Sequence, residues 1–266
     1  MRCDKIRGTH IDWYKRCQLN YRYTAHDRKM PDIIVPRWSV LGWVVHKTLE
    51  VAVTSKRYAS NVFKEMIKIE KDIVREEVAS TFPDYKLRDH EIPTINADGF
   101  IRGTTMMRNW DKHANYFWSA DEAIIEEPFS VDLDPKVGAV MTGRIDLQLR
   151  FGDTIEIWDY KSTQPLYEYK KVPPQLLRYA IGICLQKDLR IKKVRSVLFN
   201  LQSGNILKRD WTAGEANGMI DHLVDVVDEI KDTPPEEAKA SVGSHCRTLC
   251  QYHPSCPAYL ASQKRR

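Results

Sequence analysis

Gly143-Arg144-Ile145-Asp146-Leu147-Gln148-Leu149-Arg150-Phe151-Gly152-Asp153-Thr154-Ile155-Glu156-Ile157-Trp158-Asp159-Tyr160-Lys161 is the stretch whose reading decides the fold. Two alternating runs, rich in β-branched and aromatic residues, flank a Gly-Asp pair, which is the pattern of a β-hairpin closed by a two-residue turn. With Gly152 and Asp153 as that turn, Asp146 stands opposite Asp159, and Arg144 opposite Lys161. Opposed side chains share a face with their Cβ atoms roughly 5 Å apart, where like charges repel. A divalent cation bridging the two carboxylates removes the repulsion, and Mg²⁺ takes one or two carboxylates together with waters and phosphate oxygens. Lys161 is expected on the face of Asp159, roughly 6.6 Å along the strand, within reach of a scissile phosphate. Ile145, Leu147 and Leu149 are expected on the opposite, buried face with Trp158 and Tyr160. The bland alternative is a surface hairpin with solvated charges.

Three further segments stand around this hairpin in a telling order. Upstream, Leu41-Gly42-Trp43-Val44-Val45-His46-Lys47-Thr48-Leu49-Glu50 carries Gly42, His46 and Glu50 one helical turn apart, on a single stripe. Downstream, Pro173-Pro174 opens a helix on which Gln175 and Tyr179 share a face with Arg178 beside them. At the end of the chain come Cys246-x3-Cys250-x5-Cys256. Together with the hairpin, this arrangement resembles the PD-(D/E)XK nuclease superfamily, and specifically its RecB-like branch. The resemblance runs from about Cys17 to Cys256, although the stretch from roughly Ala52 to Ala120 carries no motif of the family.

The resemblance implies an α/β fold of restriction-endonuclease type, with a mixed central sheet flanked by helices and a C-terminal cysteine-rich iron-sulfur segment. It implies a metal-dependent DNA exonuclease preferring single strands, of the kind found in recombination, repair, and CRISPR-associated or phage DNA processing. On that pattern His46, Asp146, Asp159 and the backbone carbonyl of Tyr160 bind one or two Mg²⁺ or Mn²⁺ ions, and the imidazole suits Mn²⁺. Lys161 then orients the attacking water or stabilises developing charge. Gln175 and Tyr179 contact the substrate strand or order the metal shell, or they belong to an amphipathic helix packed through Leu176, Leu177, Ala180, Ile181 and Ile183. Glu50 is either a partner of His46 or a solvated helix residue.

Three clustered cysteines need a fourth, and Cys17, within Trp13-Tyr14-Lys15-Arg16-Cys17-Gln18-Leu19-Asn20-Tyr21-Arg22-Tyr23, resembles the basic, aromatic element that precedes the core in iron-sulfur members of the branch. Gln18 replaces the usual Pro there. Four cysteines suit a [4Fe-4S] cluster clipping the two chain ends together. Zn²⁺ is the competing occupant, with His245 and His253 nearby. Disulfides are disfavoured in a chain of this size without a signal peptide. Cys184 reads as a small buried hydrophobe, and Cys3 is a lesser substitute for Cys17.

The 266 residues carry a net charge of +5 and a pI near 8.8. Basic groups gather at Arg16, Arg22, Arg28 and Lys29, at Lys170 and Lys171, and at Lys264-Arg265-Arg266, which fits a phosphate-bearing partner. Tyr14, Tyr21 and Tyr23 can stack unpaired bases or serve as core aromatics. No apolar run approaches a membrane span, and the expected location is cytoplasmic. Expected helices cover about 38–54, 57–80, 103–118, 174–187 and 213–231, and expected strands about 124–132, 138–150, 154–162, 193–202 and 205–211. The expected organisation is an N-terminal segment over 1–35 with the first cluster cysteine, a nuclease core with a helical insertion over 36–232, and the cysteine segment over 233–266. Two other classes compete: a nucleic-acid-binding module with a vestigial site, and a zinc-clipped structural protein.

Overall fold

A computed structural model describes residues 1, 5–32, 34–134, 138–162, 171–186 and 193–264. Cys3, Lys170, Arg265 and Arg266 lie outside the described residues.

The expected hairpin forms the middle of a mixed six-stranded sheet. Strands β3 (Ala139–Phe151) and β4 (Thr154–Lys161) turn at Gly152, whose φ of +56° is the left-handed geometry that glycine adopts without cost. Their ladder runs from Phe151↔Thr154 to Leu147↔Trp158, in the expected register. On its other edge β3 pairs antiparallel with β2 (Glu122–Asp134). A short β1 (Lys5–Arg7) runs parallel to residues 140–142 of β3. Beyond β4 come β5 (Lys193–Asn200), parallel to it, and the edge strand β6 (Ile206–Asp210), antiparallel to β5.

Helices cover both faces. On one side lie α1 (Gly8–Arg16), α2 (Gln18–Tyr21), α8 (Pro174–Gln186) and α9 (Ala213–Asp232), sharing a core with Phe129, Ile145, Ile155 and Ile157. On the other lie α3 (Arg37–Ser55), α4 (Ala59–Met66), α5 (Glu70–Thr81), α6 (Ala97–Asp111) and α7 (Ala114–Trp118), most of whose buried residues pack with Leu147, Leu149, Trp158, Tyr160 and Phe199. Trp158 is 1% exposed, and burying a large apolar side chain of this kind contributes about 1.5–3 kcal/mol. The cysteine segment adds α10 (Ser244–Thr248) and α11 (Pro257–Gln263). Among the described residues no helix is long and apolar enough to cross a membrane.

Several expected elements differ in detail. The helix read over 57–80 is broken by a 3-10 turn at Ile67–Ile69. The helix read from 103 starts earlier, because the Asn96 side chain accepts the Gly99 N–H and caps the first turn, and it ends at Asp111, before α7. Helices α1 and α2 and the π-helical turn Arg22–His26 were not marked by the apolar periodicity at all. Cys184, read as a buried hydrophobe, is exposed near the end of α8, while its neighbour Ile183 is fully buried.

The correction with the largest consequence concerns Ile145. It has the same strand parity as Leu147 and Leu149, yet it packs in the opposite layer, with Phe129 and Ile157. Strand β2 changes face at the same level: Ile125 packs with the α3–α6 layer, whereas Phe129, Val131 and Leu133 join α8. Between them Glu126 has a φ of +52°. A left-handed residue inside a strand rotates the residues after it about the strand axis, so the period-2 rule is broken at Glu126 and, opposite it, at Asp146.

Two glycines bring α8 close to this break. A Cβ on Gly143 or on Gly182 would lie 2.4 Å from the Phe129 ring, so the ring fills a slot between β3 and α8 that neither alanine would leave open. Gly42, on the His46 stripe of α3, makes no close approach: a Cβ built there would lie 3.5 Å from Ser162 Oγ, an ordinary contact.

Candidate metal-binding active site

Strand β3 has two partners along one edge, β1 at residues 140–142 and β4 at residues 147–151, and between them residues 143–145 pair only with β2. The β3–β4 ladder therefore opens into a fork at Asp146. Asp146 does not complete a backbone pair with Asp159. Its Oδ2 accepts the Tyr160 N–H at 2.8 Å across the gap. A strand residue sends its N–H and C=O to the same edge, so the Tyr160 carbonyl also faces the fork.

Helix α3 brings His46 to this fork. Its Nδ1 lies 3.3 Å from Glu126 Oε1 and 3.8 Å from Asp146 Oδ1. Among the described residues, His46, Glu126 and Asp146 are the one group of three or more His, Cys, Asp or Glu side chains whose ligand atoms all stand within 4.8 Å of one another. Asp159, 3% exposed, places Oδ2 2.6 Å from Lys161 Nζ. The Lys161 ammonium is thus the partner of that buried oxygen.

The electrostatics follow from burial plus crowding. Burial raises the pKa values of Asp146 and Asp159, against the pull of His46 and Lys161 on the first and of Lys161 on the second. Burial alone would keep His46 neutral, but Asp146 and Glu126 outweigh it and take its pKa up to about 9. Glu77 of α5 adds another acid within electrostatic range of Arg144, Glu126 and His46, and burial raises its pKa. Glu77, Glu126, Asp146 and Asp159 thus meet one imidazole, one ammonium and the Arg144 guanidinium, 3.7 Å from Glu126, and His46, Glu126 and Asp146 make a candidate site for a divalent cation.

Of the residues singled out in the sequence, the structure gathers His46, Asp146, Asp159, Tyr160 and Lys161 at the fork. Gln175 Nε2 and Tyr179 OH are 2.5 Å apart on α8, and Tyr179 is within electrostatic range of Asp159, Asp146 and Lys161. Arg178, expected beside them, instead pairs with Asp12 of α1 at 2.9 Å and is buried in helix packing. Glu50 pairs with Lys47 at 2.9 Å. Glu126 was missed by the sequence reading. Its only local signal is the Glu126-Glu127 pair ahead of Pro128 within a strand, and nothing in that pattern announces the left-handed turn.

A second cluster lies between the chain ends. Cys17, Cys246, Cys250 and Cys256 line one partly open cavity together with Leu19, Tyr23 and other residues of the two segments, and all four are free of disulfides. Hydrogen bonds independent of sulfur hold the segments together: Leu19 N to Lys239 O, Arg22 Nη1 to Pro235 O, Tyr252 OH to Lys29 O, and Lys29 Nζ to Ser255 Oγ. His245 and His253 each have a ring nitrogen 2.9–3.0 Å from a backbone carbonyl, of Ser241 and Cys250 respectively.

The profile of the PD-(D/E)XK nuclease superfamily matches residues 9–257 of this chain. Among solved structures, the crystal structure of the protein named "Putative exonuclease" from Eubacterium rectale covers 92% of this chain and 88% of its own, with a TM-score of 0.52 and 11% identity. At that identity the likeness shows the fold. The crystal structure of SSO0001 covers 97% of this chain and 88% of its own at 15% identity, with a TM-score of 0.40. No curated protein sequence matches the chain.

Proposed function

The chain belongs to the PD-(D/E)XK nuclease superfamily, and from that premise we propose that it is a Mg²⁺- or Mn²⁺-dependent deoxyribonuclease of the RecB-like branch, degrading single-stranded DNA from an end. The observation that carries the reading is the fork itself, where His46, Asp146, Asp159 and Lys161 converge from two strands and a helix.

The metal fit rests on the donor set. His46, Asp146, Asp159 and the Tyr160 carbonyl are the residues that would hold the cation, with Glu126 beside them. A divalent ion bound there supplies charge neutralisation at the phosphate and a lowered pKa for water. The chain's own groups do the rest. Tyr160 N–H holds the Asp146 carboxylate in one orientation. Lys161, anchored by Asp159, presents an ammonium to the non-bridging oxygens as charge develops. Gln175 and Tyr179 fix each other and offer polar atoms to the strand backbone.

The four cysteines that line the cavity, free of disulfides, support reading it as the site of a [4Fe-4S] group, with Zn²⁺ as the competing occupant. In this reading the group clips the ends of the chain and narrows access to the fork, favouring a flexible single strand over duplex.

Incubating the protein with Mn²⁺ and a linear single strand or the same strand closed into a circle tests the reading. Linear DNA should be consumed and circles spared. Lys161→Ala should slow cleavage about 10²- to 10³-fold, and Asp159→Ala should abolish it. DNA affinity should change little, since it comes mainly from basic groups on phosphates. Cleavage at the full rate by either folded variant would remove the fork from the chemistry.

A further inference from the structure

The cavity walled by the four cysteines has hydrogen-bond donors aimed at sulfur. Asn20, one turn past Cys17, directs Nδ2 at Cys250 Sγ from 3.4 Å. The Thr24 hydroxyl lies 2.9 Å from the Asn20 backbone carbonyl oxygen and 3.2 Å from Asn20 Oδ1, two acceptors for its one proton, and the amide turns its NH₂ toward the sulfur. The backbone N–H of Tyr252 gives Cys250 a second donor. On the other wall the Gly243 N–H points at Cys246 Sγ from 3.5 Å. A neutral thiol is a weak acceptor, whereas a thiolate is an electron-rich one, so donors converging on a half-buried sulfur suit a sulfur that carries negative charge as a metal ligand.

Hydrogen bonds to ligand sulfurs are among the features that set the potential of iron-sulfur groups. Resting on the cluster reading above, we propose that Asn20 tunes the reduction potential of the bound iron-sulfur group through its N–H donated to Cys250. Reduction adds one electron and makes the sulfurs more negative. A donor at Cys250 therefore favours the reduced state and raises the potential. The side-chain amide is the donor Asn20 has to offer, because its backbone N–H is already spent on the Cys17 carbonyl.

Asn20→Leu removes the donor while keeping the branching of the side chain, and Asn20→Asp replaces it with a negatively charged acceptor. Thr24→Val keeps the donor and removes the hydroxyl that lies against the amide and the Asn20 carbonyl. The experiment uses full-length protein purified anaerobically, with iron and sulfide counted first and dithionite as the one-electron reductant in a mediated titration. The expected order of potentials runs from wild type, highest, through Thr24→Val and Asn20→Leu to Asn20→Asp, lowest. Resonance Raman reads the same contact without reduction, and the Fe–Sγ stretch should rise in Asn20→Leu as the sulfur regains electron density for iron. Should Asn20→Leu fail to fold, Thr24→Val carries the comparison. Equal potentials and unshifted stretches in iron-loaded variants would overturn the role of Asn20 while leaving the cluster in place. A wild-type protein holding zinc, or no iron and sulfide, would overturn both.

Discussion

Strand β4 buries two acids three residues apart, and the chain treats them in opposite ways. Glu156 is 1% exposed and fully answered: Trp158 Nε1 donates to it at 3.0 Å, Arg195 at 3.2 Å, and Lys208 stands at 3.7 Å. The Tyr116 phenol also binds it, and burial, with that bond, pushes the phenol pKa up. Asp159 is 3% exposed and meets one ammonium, while Asp146 stands close by and Glu126 joins Asp146 around His46. Both acids have the low exposure of core residues. What separates them is how they are compensated: Glu156 by neighbours that bond it directly, and the acids of the fork by a shared cluster of His46, Lys161 and Arg144.

The comparison breaks most visibly at Glu156. Removing one member of a buried, hydrogen-bonded ion pair strands its partner and typically costs about 3–5 kcal/mol. Glu156→Ala should therefore lower stability by that order in urea melts, with the metal affinity of the surviving folded protein unchanged. A loss of metal affinity equal to that of an Asp146 variant would mean that the two ends of β4 are not independent.

pH sharpens the contrast from the other side. The folded-state pKa of His46, about 9, lies above its ordinary value of 6.5. In metal-free protein the stabilisation this represents is full below about pH 6.5 and is lost as pH rises through about 9. Metal binding must displace that proton, so Mn²⁺ affinity should run the opposite way, rising roughly tenfold per pH unit below about pH 9. Calorimetric titrations at about pH 6.5 and about pH 8.5 check the slope, which His46→Ala should flatten. An affinity independent of pH in the wild type would show that His46 is not displaced from its proton by the ion.

The smallest expected effect is at Glu126. A left-handed residue other than glycine costs roughly 1–2 kcal/mol, against about 0.5–1 kcal/mol for the added backbone freedom of glycine. Glu126→Gly should thus raise the stability of the protein in EDTA by up to about 1 kcal/mol while weakening Mn²⁺ binding. Thermal melts with and without Mn²⁺ read both halves. A variant less stable in EDTA would mean that the Glu126 contacts to His46 and Arg144 outweigh the strain.

The hairpin, its Gly152 turn and its register from Phe151↔Thr154 to Leu147↔Trp158 were legible in the residues alone, because alternation and turn chemistry are local properties. The convergence of His46 with Asp146 and the meeting of Cys17 with Cys246, Cys250 and Cys256 were instead implied by the resemblance to the family's motif order. Period-2 logic was wrong for Ile145, however, because it assumes that a strand does not rotate, and Glu126 rotates it. Arg178 was misread for a different reason: helix spacing says which residues share a face, and only the position of α1 says that Asp12 stands there to pair with it.

By itself the sequence determined that His46, Asp146, Asp159 and Lys161 could do chemistry, since each depends on residue type and on spacing along one element, but it did not mark Glu126. The tertiary structure decided what those side chains face. Strand β4 leaves β3 just where Asp146 must reach Tyr160 N–H, and β2 delivers Glu126 across the sheet to His46 from a left-handed turn. Such meetings depend on the balance of packing across two layers, with the Phe129 ring seated between Gly143 and Gly182, and that balance is a property of the whole fold that no local period encodes.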